Sequence, residues 1–136
     1  MTQSAAEVIH AYYAAFNAND LERFLTLLSE DIVHDINQGD RETGRAAFAS
    51  FMRRMGRCYR ERIVDSVVFS EPTGKRVAAE FTVLGEYIAS EEGLPPARGQ
   101  RYRIAGGSFF EVRDGKIARV TNYYNVQDWL RQARAG

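Results

Sequence analysis

A single cysteine, Cys58, leaves no internal disulfide to form, and nothing else in the sequence points to an oxidising compartment. Two histidines, His10 and His34, are too few for a histidine-rich metal site, and no metal is expected. Neither sign of charge is in excess: eighteen Lys and Arg stand against eighteen Asp and Glu. No net field gathers nucleic acid or an anionic membrane, so neither is expected as a partner. Balanced charge does make self-association easier to tolerate. No apolar run approaches the length of a spanning helix. The opening segment MTQSAAEVIHAYY lacks the basic flank and apolar core of a secretory leader, and a cytoplasmic location is expected by elimination. Also missing are a Gly-rich phosphate loop, Cys-x-x-Cys, His-Glu-x-x-His and Gly-x-Ser-x-Gly. Any catalysis has to come from isolated side chains that line a cavity.

What is present is enough for a real core. The 136 residues, 45% of them hydrophobic, predict one domain over 1–136 that folds without staples. Ser4 to Phe16 reads as a first helix, with Val8, Tyr12, Ala15 and Phe16 at helical spacing and Ser4 and Glu7 in a capping-box relation. Asn17 to Asp20 breaks it, and a short second helix runs through Leu28. Ile32 to Ile36 is a short strand ended by Asn37-Gln38-Gly39-Asp40, and Gly44 to Met55 is a third helix. Ile63 to Phe69 and Val77 to Ile88 are strands joined at Pro72-Thr73-Gly74, with Gly85 expected at a bulge or bend. The segment 91–99 is a loop by composition.

The strongest local signal is the hairpin from Gln100 to Tyr124, turned at Asp114-Gly115, where Gly accepts the positive φ the turn needs. On its second arm Val120, Asn122 and Tyr124 share one face. A last helix begins at Val126 and places Trp129 where it can seal an edge. Helices mostly first and long strands after predict an α+β fold with a curved antiparallel sheet covered by helices.

Asp35 is the first candidate for chemistry. It either faces inward, where burial raises its pKa and suits it to act as a base at a carbon acid, or faces outward and caps the turn after it. His34 takes the opposite face of the same strand, so a His34–Asp35 dyad is not expected. Tyr12 is either a packed core ring or a hydroxyl donor to a developing enolate, and Asn122 and Tyr124 have the same two readings.

The segments YYAAFNANDLERFLTLLSEDIVHDI, GRAAFASF and FFEVRDGKIARVTNYYNVQDW together resemble the NTF2-like superfamily, in particular its ketosteroid-isomerase and SnoaL-like polyketide-cyclase branches. The resemblance covers nearly the whole chain and implies a cone-shaped fold, with N-terminal helices and a curved antiparallel sheet around a mainly apolar pocket. It places the isomerase tyrosine on Tyr12 and the proton-shuttling aspartate on Asp35. The isomerase's second aspartate, an oxyanion donor, falls on Gly107, and the cyclase aspartate falls on Asn122. Loss of such a donor typically costs roughly 3 to 4 kcal/mol of transition-state stabilisation. The resulting expectation is an isomerase-like or cyclase-like enzyme that removes and returns a proton beside the carbonyl of a small apolar substrate. Asp35 is expected as the base, with Tyr12 and Asn122 steadying the enolate and Phe16, Val120, Tyr124 and Gly107 contacting substrate. No cofactor is expected, and a homodimer through the sheet is. The other two readings are a non-catalytic small-molecule binding protein and a protein-interaction module.

Overall fold

Ser4 opens the first helix as its sequence context requires. Its hydroxyl accepts from the Glu7 N–H at 3.2 Å while the Glu7 carboxylate accepts from the Ser4 N–H at 3.1 Å. The helix α1 (Ala5–Asn17) buries Val8, Ile9, Tyr12, Tyr13 and Ala15. At its end the Asn17 side chain both donates to and accepts from the backbone of Ile63, at 2.9 and 2.8 Å. Asp20 then caps α2 (Leu21–Thr26) by accepting from the Arg23 N–H. The computed structural model describes residues 4–37 and 39–135. Gln38, which the sequence reading puts in the turn after the first strand, lies outside them, as do residues 1–3 and 136.

The remaining elements are β1 (Leu28–Asp35), β2 (Arg41–Thr43), α3 (Arg45–Cys58), β3 (Tyr59–Ser70), β4 (Arg76–Tyr87), β5 (Gln100–Arg113), β6 (Lys116–Tyr124) and α4 (Val126–Ala135). The six strands form one curved sheet in the order β2-β1-β6-β5-β4-β3. The α+β expectation holds, with two corrections. The sheet is mixed, because β1 runs parallel to β6. It also holds a short strand, β2, that the sequence reading does not contain. Three residues give no period to detect, and β2 exists only through its pairing with β1.

The hairpin forms as its turn dictates. Asp114 and Gly115 both have positive φ, 53° and 73°, the pair of left-handed residues that a type I′ turn uses. Gly85 departs from expectation. The register runs through it unbroken on both sides, and the bulge lies instead in β3, between Val64 and Val67, where Asp65 has φ 53°. Gly85 serves a different need: a Cβ there would stand 2.2 Å from the Tyr102 ring. Gly106 makes the same room for Phe81, at 2.5 Å. Two glycines thus let two rings lie flat across the inner face of the sheet.

That inner face carries Val77, Ala79, Phe81 and Val83 of β4, Tyr102, Ile104 and Phe110 of β5, and Ile117 and Val120 of β6, all buried. Helix α4 closes the end of the sheet. Trp129 meets Tyr59, Tyr87 and Tyr102 edge to face, and Gln132 brackets the backbone of Arg103 by donating and accepting.

Candidate active site

Helices and curved sheet do not close on each other completely. They enclose a cavity of about 450 Å³, within the range of small-molecule sites. Its walls are mostly apolar and aromatic: Tyr12, Tyr13 and Phe16 from α1, Phe48, Phe51 and Met52 from α3, Ile63, Val83 and Ile104 from the sheet. Among the described lining residues, the carboxyl groups are Asp20, Glu61 and Glu91, and no Lys or Arg is present.

One polar cluster sits where β1, β5 and β6 meet. Strand β1 alternates, so Ile32, His34 and Ile36 turn toward the interior and Val33 and Asp35 away from it. His34 is only 2% exposed. Phe48 stacks on its ring at 4.1 Å between centroids, and Phe51 meets it edge-on at 4.7 Å. Burial pushes its pKa down to about 4, and the nearby Asp35 charge offsets only part of that. The imidazole is therefore neutral through the physiological range. Its Nε2 lies 3.5 Å from Asn122 Nδ2, and Asn122 Oδ1 accepts from the Ser108 hydroxyl at 2.5 Å. Tyr12 and Tyr13 stand on the facing helix. Burial raises both phenols, Tyr13 to about 12, so both remain protonated donors.

A second polar cluster lies on the β3 side. Glu61 accepts a hydrogen bond from the Tyr102 hydroxyl, and burial raises its pKa against that bond. Glu91 accepts from the Tyr59 hydroxyl at 2.6 Å. Glu91 and Leu94 bring the loop 91–99 into the cavity wall. Tyr87 fastens that loop, donating to Pro95 O at 2.7 Å and accepting from the Glu91 N–H at 2.9 Å. Among the described residues no three His, Cys, Asp or Glu side chains converge as a metal centre requires.

The structure brings Tyr12, Phe16, Asn122 and Tyr124 of the expected site residues to the cavity wall. It does not bring Asp35 there. Asp35 lies on the outer face of the sheet, where it accepts from Arg41 at 2.6 and 3.2 Å and from the Thr121 hydroxyl at 2.6 Å. The Arg41 hydrogen bond, helped by Thr121, holds its carboxyl below the ordinary carboxylate range, the opposite of the raised pKa expected for an inward base. The pleat of β1 gives the inward position to His34 instead. Val120 is wholly buried in the core and is not in the cavity wall. Gly107 is likewise outside it: on β5 Ile104, Ser108 and Phe110 turn inward, so the inward neighbour is Ser108. The sequence reading also misses Glu61, because it starts that strand four residues too late, at Ile63. Tyr59, Glu61 and Ile63 at alternate positions are the signal that finds it.

Searching curated proteins yields no match to this chain. Among solved structures, two described as putative polyketide cyclases are similar throughout. The one from Pseudomonas putida KT2440 is 59% identical, covers 96% of this chain and 98% of its own, and superposes with a TM-score of 0.95. That from Xanthomonas campestris pv. campestris is 54% identical over 95% and 96%, with a TM-score of 0.93. An LEH-like epoxide hydrolase of M. tuberculosis, 22% identical over 99% and 92% with a TM-score of 0.76, shares the fold. The model of the SnoaL-like domain matches residues 9–120, which hold all of the described cavity wall except Asn122, Tyr123, Tyr124, Val126 and Trp129. With a cavity-bearing NTF2-like fold and this match over most of its length, the chain belongs to the SnoaL-like domain family.

Proposed function

We infer that the protein is an isomerase-like or cyclase-like enzyme that removes a proton beside a carbonyl and returns it at another carbon. Its substrate is small and largely apolar. The observation that carries this reading is a neutral imidazole, His34, buried at the wall of an enclosed apolar cavity with its Nε2 beside an oriented amide. In the reaction the Asn122 amide turns from its long 3.5 Å contact with Nε2 to the carbonyl oxygen, Nε2 takes the proton from carbon, the C–H electron pair forms the new C=C bond, and the carbonyl π pair moves to oxygen. The developing enolate oxygen needs donors already in place. Ser108 fixes the Asn122 amide, whose Nδ2 is the oriented donor, and the Tyr12 and Tyr13 phenols are the remaining donors on the helix side. The imidazolium then hands its proton to the second carbon, and His34 returns to its starting state. Imidazole, amide and phenol supply both acceptor and donors, so the reaction calls for no cofactor. The name carried by the Pseudomonas and Xanthomonas relatives agrees with this class of chemistry.

The test is deuterium exchange into a panel of enolisable ketones, followed by NMR. His34→Gln is expected to lose about 100-fold or more of the parent rate, the usual contribution of a general base. Asp35→Asn is expected to keep the parent rate. The reverse result would return the role of base to Asp35. Ketone binding without exchange in the parent would leave a small-molecule binding protein in place of an enzyme.

A further inference from the structure

Directly across from His34, in the antiparallel register of β1 and β2, stands Glu42. Cross-strand partners carry their side chains on one face of a sheet, so Glu42 reaches in behind the imidazole. Its Oε1 lies 3.9 Å from His34 Nδ1. Both atoms are buried, and neither has a hydrogen-bond partner among the described residues. A buried polar atom without a partner costs free energy, and folded proteins hold few of them. Here two such atoms face each other. An ionised carboxylate oxygen can only accept, so they satisfy one another in one way alone: Nδ1 carries the proton and directs it at Glu42.

The other side of the ring selects the same arrangement. The Ser108 hydroxyl donates to Asn122 Oδ1 and thereby turns the Asn122 N–H groups toward His34 Nε2. An amide nitrogen does not accept, so Nε2 must offer its lone pair. Donors thus run in one direction, from Ser108 through Asn122 and His34 to Glu42. Phe48 and Phe51 hold the ring plane and keep it from turning out of this line. Asp35, next in sequence, does not compete, because its carboxylate is held by Arg41 and Thr121 on the other face of the sheet.

We propose that Glu42 is the positioning residue for His34, holding the imidazole in the Nδ1–H tautomer so that Nε2 presents its lone pair to the cavity. The tautomer is a property of the resting protein; only its catalytic consequence rests on the reading of His34 as the base. When Nε2 takes a proton, the positive charge develops beside the Glu42 carboxylate. A movement of about 1 Å brings the pair to hydrogen-bond distance.

The experiment is a long-range proton–nitrogen correlation spectrum of the full chain labelled with nitrogen-15 histidine. Only His10 and His34 contribute, and the signal lost in His34→Gln identifies the second. The parent is expected to show His34 protonated at Nδ1 and bare at Nε2. Glu42→Leu, which keeps the bulk and removes the acceptor, is expected to lower the Nδ1–H share by about tenfold. Glu42→Gln keeps a neutral acceptor and is expected to retain the tautomer, while its exchange rate falls in kcat and not in KM, since the charge behind the ring is gone. An Nε2–H imidazole in the parent overturns the assignment, and so does a Glu42→Leu spectrum like the parent's. Should Glu42→Leu fail to fold, the parent tautomer and the Glu42→Gln kinetics decide instead: an unchanged kcat in Glu42→Gln overturns the role. Parent protein with the expected tautomer but no ketone exchange would remove the proposed enzyme and leave the Glu42–His34 pairing standing.

Discussion

Two carboxylates, on strands separated by three others in the sheet, illustrate how placement sets charge behaviour at the scale of single residues. Glu61 faces the cavity with a tyrosine hydroxyl as its partner and no cation within ion-pair distance among the described residues. Burial raises its pKa above 4.5, so the folded state favours the protonated acid. Its favourable contribution to stability is complete below the unfolded value and is lost as pH rises through the raised folded value. Asp35 is the converse. Its pKa is held below 3.8, first by the Arg41 hydrogen bond, so its contribution is present above that value and is lost as pH falls through the depressed one. Opposite outcomes follow from the two neutral isosteres in a thermal-melt series. Glu61→Gln is expected to raise Tm relative to the parent at pH 8, with the gain shrinking toward pH 4. Asp35→Asn is expected to lower Tm at pH 8, with the loss shrinking on acidification. For a chain of this size each kcal/mol corresponds to about 4 °C. A gain for Glu61→Gln that grows toward acid would contradict the burial argument for that carboxylate.

At the scale of elements, the positions of the aromatic rings depend on where side chains are absent. Gly85 has no unusual backbone geometry and no bulge to justify it; the Tyr102 ring occupies the space a methyl would need. Gly85→Ala is expected to cost about 2 kcal/mol by overpacking, read as a lower urea midpoint with an unchanged slope. Because Tyr102 is also the donor to Glu61, the same substitution is expected to alter ketone binding. The double variant with Tyr102→Phe should not restore it, whereas Tyr102→Ala relieves the clash but leaves Glu61 without its donor. The hairpin and the first helix were legible because their determinants are local: Asp114-Gly115 for the turn, Ser4 and Glu7 for the cap. Strand β2 was not, since three residues carry no pattern and its existence depends on β1. The facing of β1 lies between these cases. Apolar Ile32 and Ile36 flank His34 at two-residue spacing, which identifies His34 as the inward residue, whereas both the carboxylate chemistry and the family resemblance favour Asp35 one position later. Gly107 and Ser108 repeat the lesson on β5, where a shift of one residue exchanges the two faces.

The outer face of the sheet gives the whole molecule a second surface, which meets the cavity wall at Tyr123. One cross-strand row runs Phe69, Ala78, Phe109, Thr121 and Asp35 to Arg41, and the next holds Val67, Glu80, Gly107 and Tyr123. Phe69 is 57% exposed, Phe109 46% and Tyr123 41%, with Phe109 and Tyr123 in edge contact. Single exposed rings are ordinary, but a cluster of rings in adjacent rows of one sheet face is the pattern of an interface. The ion pairs Arg41–Asp35 and Arg119–Glu111 border it, so the surround carries both signs and a second copy meets complementary charge. We propose that two copies pair through this face, in keeping with the absence of net charge to hold them apart. Sedimentation equilibrium of the parent is expected to give twice the chain mass, and Phe109→Arg the mass of one chain, because a buried unpaired guanidinium at the centre of the patch is costly. The substitution points away from His34 and Asn122, so the monomer is expected to keep its cavity and to bind ketone as the parent does. A parent that sediments as one chain would remove the dimer. A dimer indifferent to Phe109→Arg would move the interface off this face and leave the exposed rings without a partner of this kind.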